Sequence, residues 1–178
     1  MRFILSFVFI LLLSACDNNT PLMDAASNAN SEQVKAMLAT GDVDINKANR
    51  YGWTALMHAA KVGDLESVKL LVEKGATVDA RDSNGWTPMM RAAQKGHVEV
   101  VEYLIDKGAD VNATTENGWT ALMWAALREK VGVVKYLIGV KGIDLNHQSE
   151  DGRSAIMISI TENNNDVYIL LQDAGARP

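Results

Sequence analysis

The sequence predicts an all-α solenoid: five helix-turn-helix repeats, joined by β-hairpin-like loops and stacked side by side. Three observations predict it. A nine-residue phrase returns four times, as GWTALMHAA from Gly52, GWTPMMRAA from Gly85, GWTALMWAA from Gly118 and GRSAIMISI from Gly152. The glycines lie 33, 33 and 34 residues apart, the period of a helical unit that cannot bury its apolar face alone. Each copy opens with a hydroxyl residue suited to starting a helix, and three of the four close on a pair of alanines.

The elements follow in order within each unit. Thr54, Thr87, Thr120 and Ser154 stand where an N-cap oxygen can accept an otherwise unbonded backbone N–H. Pro88 follows Thr87 at the first helical position, where no N–H is needed. The pairs Ala59-Ala60, Ala92-Ala93 and Ala125-Ala126 let the first helices of adjacent repeats approach closely. Gly63 and Gly96 end that helix in the left-handed backbone region. Leu70-Leu71, Tyr103-Leu104 and Tyr136-Leu137 give the second helix its apolar face, and Gly75, Gly108 and Gly142 close it.

Upstream, Thr20-Pro21-Leu22-Met23-Asp24-Ala25-Ala26 is another start of a first helix. The units are therefore about 18–50, 51–83, 84–116, 117–150 and 151–178. The 34-residue steps come from one extra residue around Thr40–Asp44 and around Gly139–Gly142, in loops that absorb length at little cost. The terminal units depart from the pattern: Ser159-Ile160 replaces the alanine pair and Asn163 replaces the turn glycine. Glu129 takes that glycine's place in the fourth unit, which predicts a distorted turn after Leu127.

Residues 84–112, NGWTPMMRAAQKGHVEVVEYLIDKGADVN, resemble the ankyrin repeat throughout, and the resemblance extends over about 20–178. It implies a domain at 20–178 that binds other proteins through residues left free by the packing.

The first sixteen residues are different. Met1-Arg2 is a short positive start, and Phe3 to Leu13 is apolar except for Ser6. Eleven residues are too few to span a bilayer as a helix but suit a secretory signal. Leu13-Ser14-Ala15-Cys16 then resembles a bacterial lipoprotein signal, which implies cleavage after residue 15, acylation of Cys16 and a short tether at 16–19. Ordinary cleavage with Cys16 incidental is the alternative. Several acyl chains would hold the protein stably at a membrane, facing the periplasm. Asp17 resembles the inner-membrane retention signal of enterobacterial lipoproteins, with the outer membrane as the alternative.

Composition excludes several functions. Seventeen basic and 22 acidic residues give a net charge of −5 with no basic block, so no nucleic-acid partner is expected. Cys16 is the only cysteine, which leaves the repeat domain without a disulfide. His58, His97 and His147 have no partner at metal-ligand spacing, and His97 reads as structural. No nucleophile elbow, phosphate loop or dinucleotide fingerprint is present. Neither an enzyme, a metal, a cofactor nor a small-molecule substrate is expected.

Function then falls to the variable positions. The ankyrin resemblance places the residue before each small pair on a concave groove, where this chain carries Asp24, His58, Arg91, Trp124 and Ile158. Trp124, with Arg91 beside it, is the expected anchor. The loop tips are the second candidate surface, with Tyr51, Arg81 and Glu116 as contacts and acidic residues gathering toward the C-terminus. Trp53, Trp86 and Trp119 lie at the loop bases, where their recurrence favours packing between repeats. Ile169 replaces Lys69, Glu102 and Lys135, so with Ile158 it either awaits a partner or folds inward. Small ankyrin lipoproteins resemble immunity proteins that inhibit periplasm-delivered toxins, including type VI-secreted phospholipases. A structural or protective adaptor for an envelope enzyme or assembly is the alternative.

Overall fold

The computed structural model describes residues 18–178, so the signal segment, Cys16 and Asp17 lie outside the described residues. Ten helices form five pairs among them. These are α1 (Pro21–Ser27) with α2 (Ser31–Thr40), α3 (Ala55–Val62) with α4 (Leu65–Glu73), and α5 (Pro88–Lys95) with α6 (Val98–Asp106). The last two pairs are α7 (Ala121–Leu127) with α8 (Val131–Leu137), and α9 (Ala155–Thr161) with α10 (Asn165–Asp173). First helices pack on first helices and second on second, and no strand occurs among the described residues. None of the described helices is long and apolar enough to cross a membrane.

Every first helix starts the same way. The side-chain oxygens of Thr20, Thr54, Thr87, Thr120 and Ser154 accept the backbone N–H three residues on, at 3.3 to 3.4 Å. Pro21 and Pro88 occupy the position that needs no donor. One continuous core runs through the stack, built from the alanine pairs, Leu56, Met57, Met89, Met90, Leu122 and Met123, all within 1% of full burial. Small residues at the alanine positions bring the helices together, and methionines fill the space between them.

The turn inside each pair needs a left-handed residue. Gly63 supplies it at φ +81°, and a Cβ there would lie 2.4 Å from the His97 ring. His97 sits in that gap with Nε2 3.0 Å from the Lys61 carbonyl, tying the second repeat to the third. Ala29, Glu129 and Asn163 take the same backbone with a side chain, at a cost on the order of 1 kcal/mol. The turn at Glu129 is therefore kept; what changes is that α7 stops one residue earlier than α3 and α5.

The fourth repeat corrects one expectation. Gly142 does not close α8, which ends at Leu137. The extra residue is absorbed in turns in which Gly139 and Val140 bond back to Tyr136 and Leu137, at 3.1 and 3.0 Å. Across the stack, Asn46 and Asn112 each bridge to the next repeat. Asn46 Oδ1 accepts from the Thr77 backbone at 2.8 Å and Asn112 Oδ1 from Asp144 at 2.8 Å.

Candidate protein-binding groove

The groove begins with the loops that precede the first helices. Asn49, Asp82, Thr115 and Ser149 sit three residues ahead of the repeated glycine, and each side-chain oxygen accepts the backbone N–H four residues on. The same four residues donate their own N–H to the carbonyl there, at 2.9 to 3.0 Å. Each loop is thereby pinned so that Trp53, Trp86, Trp119 or Arg153 projects from its base. Adjacent loops are joined tip to tip: Ser83 N–H to the Tyr51 carbonyl, Glu116 to Asn84, and Glu150 to Asn117, at 2.9, 3.0 and 3.1 Å. Gly85 makes this approach feasible, since a Cβ there would stand 2.9 Å from the Glu116 nitrogen.

These side chains meet the variable residues of the first helices in one row. The Arg91 guanidinium lies between two indoles, 4.1 Å from the Trp53 ring centre and 4.0 Å from that of Trp86. Trp86 stacks on Trp124 at 4.3 Å and Trp124 on Trp119 at 4.6 Å, tilted by 31° and 39°. Arg153 covers the far end, 4.9 Å from the Trp119 ring. At the near end, the Trp53 ring meets His58 at 5.0 Å and the Lys61 ammonium at 5.1 Å. Cation over ring and ring over ring are both attractive geometries, and together they order the side chains of four repeats.

The two arginines are held by different carboxylates. Arg91 pairs with Asp82, whose side chain is almost wholly buried and also accepts the Asn84 and Trp86 N–H groups at 2.9 and 3.0 Å. Burial lowers the pKa of Arg91 from its ordinary value, and the hydrogen bond and charge of Asp82 oppose that shift. Arg153 pairs with exposed Asp151, donating from Nε at 2.7 Å. That bond and one from Ser149 bring the Asp151 carboxyl down to about 2.

A cleft of about 440 Å³ opens between the third and fourth loops, floored by Trp86, Trp119 and Trp124 and walled by Asn84, Glu116 and Asn117. The Trp124 Nε1 and Arg91 Nε donors are buried, and neither has a hydrogen-bond partner among the described residues. Donors of this kind are unusual in a finished core.

The structure brings His58, Arg91 and Trp124 into one row and sets Glu116, exposed, at the edge of its cleft. Trp53, Trp86 and Trp119 pack as that row's framework. Asp24 is half-buried and accepts from the Asn19 side chain at 3.2 Å. Tyr51 is exposed at its loop tip with Arg50 stacked 4.5 Å from its ring. Arg81 donates to the Thr114 carbonyl, bridging two loops. Ile158 requires a correction: it is 1% exposed and belongs to the core, so it presents nothing to a partner. Ile169 does the opposite and points outward. Two partners in the row were not anticipated from sequence, Asp82 and Arg153. The polar residue three places ahead of each repeated glycine was the available signal for Asp82.

A helical-repeat scaffold presenting a groove of aromatic and cationic side chains is a protein-interaction module. The comparisons name the family. A model described as "Ankyrin repeats (3 copies)" matches residues 4–82, 22–115, 78–149 and 110–178, and the chain belongs to the ankyrin-repeat family. It is similar to inversin of Danio rerio, 40% identical over 67 residues, covering 37% of this chain and 7% of that protein. It is also similar to ankyrin repeat, SAM and basic leucine zipper domain-containing protein 1 of Oryctolagus cuniculus. There the identity is 35% over 60 residues, covering 34% of this chain and 12% of that one. The similarity thus spans a small part of either relative, confined to a stretch of this chain about two repeats long.

Proposed function

We propose that this protein is a lipid-anchored, periplasm-facing binding module that holds one protein partner in its groove and occludes it. In its narrower form it is an immunity protein against an antibacterial effector such as a type VI-secreted phospholipase. The supporting observation is the row from Trp53 to Arg153, an ordered run of Trp and Arg with a cleft beside it. Trp and Arg are the residues that dominate binding energy at protein interfaces, and fixing them beforehand lowers the entropy cost of association. The anchoring rests on the Leu13–Cys16 motif and on the short step from Cys16 to the first helix at Pro21.

The test is capture of the partner from membranes, followed by affinity measurements on groove variants. Arg91→Ala is a poor probe because it strands the buried Asp82 carboxylate. Glu116→Lys with Asn117→Ala changes exposed residues only, and should weaken binding at least about 10-fold, or roughly 1.4 kcal/mol, without altering unfolding. Unchanged affinity would remove the cleft, together with the loop tips at Glu116 and Asn117 that wall it, as the contact surface. A captured secreted hydrolase that loses activity in the complex supports the immunity form. An active envelope enzyme would support an adaptor instead. Cys16→Ser should release the protein from membranes, and persistence there would refute the lipid anchor.

A further inference from the structure

Successive loops set a carboxylate beside the row of indoles: Asp82, Glu116 and Asp151. Two of the three hold a cation. Asp82 pairs with Arg91, whose guanidinium lies between Trp53 and Trp86. Asp151 pairs with Arg153, which covers Trp119. Glu116, on the loop between theirs, is exposed at the wall of the cleft and has no ion pair among the described residues. Arg81, the cation bound to that same loop, donates to the Thr114 carbonyl instead.

We propose that this cleft receives a cationic side chain of the protein partner, an Arg or a Lys, whose charged head pairs with Glu116. The assignment rests on the groove reading above and adds the partner's chemistry to it. Glu116 is the one charged residue lining the cleft, and Asn84 and Asn117 bring further side-chain carbonyls to its walls. Exposed Glu150 is joined to Asn117 through the backbone, so a second negative charge stands on the next loop. An anion entering here would give up hydration with no counter-charge to meet it. The floor of Trp86, Trp119 and Trp124 offers apolar surface to the methylene stem of a long side chain, while the head stays at the wet rim. The partner thereby supplies in the middle of the row what Arg91 and Arg153 supply on either side. Arg should bind better than Lys, because its planar fork takes a carboxylate through two parallel hydrogen bonds. The pair with Glu116 is exposed, so added salt should weaken it.

The experiment follows the indole N–H signals of the full chain by NMR, in mild detergent, as capped tripeptides are added to about 20 mM, a range that captures millimolar contacts. The probes are Gly-Arg-Gly, Gly-Lys-Gly, Gly-Glu-Gly and Gly-norleucine-Gly, the last supplying a stem without charge. The expected result is a saturable shift of the Trp86 and Trp124 signals with the Arg peptide, a weaker response to Lys and none to Glu. Glu116→Gln should weaken Arg binding about 5-fold, the upper range for an exposed ion pair. Its side chain is exposed, so thermal unfolding should be unchanged and should show that the variant is folded. Equal binding of the norleucine peptide overturns the proposal and makes the cleft an apolar pocket. Arg binding that survives Glu116→Gln, or no response to any peptide, overturns it as well. A photo-cross-linker at Asn117 reads contact with the partner whatever its chemistry. An adduct there beside any of these failures leaves the groove reading standing without the cation, and loss of the adduct removes both.

Discussion

At the position before the small-residue pair the third repeat carries Arg91, half-buried between two indoles, and the fifth carries Ile158, 1% exposed in the core. At the loop base the third has Trp86 and the fifth Arg153. At the stacking position the third has Met90, fully buried, and the fifth Met157, half-buried. The backbones start identically, with the same hydroxyl cap and the same third-residue N–H. At the groove and loop-base positions the residues themselves differ, and at the stacking position the surroundings differ, because the third repeat has a described neighbour on both faces. A repeat position therefore has no fixed energetic meaning; the neighbouring repeat assigns it.

The comparison can be broken by making one substitution in both repeats. Asp82→Ala should cost about 3–5 kcal/mol, since it leaves Arg91 buried without its counter-charge and two loop N–H groups without an acceptor. Asp151→Ala, which removes the exposed carboxylate paired with the row's other arginine, should shift the denaturation midpoint only slightly. Equal losses in urea unfolding would contradict the contrast. Met90→Ala should cost about 2–5 kcal/mol by opening a cavity, and Met157→Ala well under half as much. Thr87→Ala and Ser154→Ala should instead cost alike, about 1 kcal/mol each, because both repeats use the same hydroxyl cap.

The smallest effect is in acid. The Asp151 carboxyl titrates at about 2 in the folded chain, below its ordinary 3.8. Its ion pair with Arg153 thus contributes fully above about pH 4, and the contribution fades as pH falls through 2. The difference in melting temperature between the wild-type chain and Asp151→Asn, small at neutral pH, should shrink as pH approaches 2 and vanish below it. A difference that grows on acidification would reverse the sign of this linkage.

The scaffold was legible because it is periodic. The glycines, hydroxyl caps and alanine pairs each answer a backbone or packing requirement that recurs at the same phase, and those requirements are local. The groove was legible in part: Arg91 and Trp124 stand out as large residues at a position usually solvated. Their mutual arrangement was not legible, because Arg91 touches Trp53 and Trp86 from two different repeats and pairs with Asp82 through a loop fold. Ile158 misled because the sequence position is the groove's, while in the fifth repeat the same position is buried. Gly142 misled because the extra residue of that repeat ends α8 early, at Leu137.

Whether the row from Trp53 to Arg153 is the surface that meets a partner is tested most directly by site-specific photo-cross-linking in the cells that make the protein. A benzophenone side chain is placed in turn at Asn117, exposed at the wall of the cleft, and at Glu102, exposed on the second-helix face of α6. The groove account predicts one dominant adduct from Asn117 and none from Glu102. Adducts from Glu102 alone, or the same adduct from both, would contradict it.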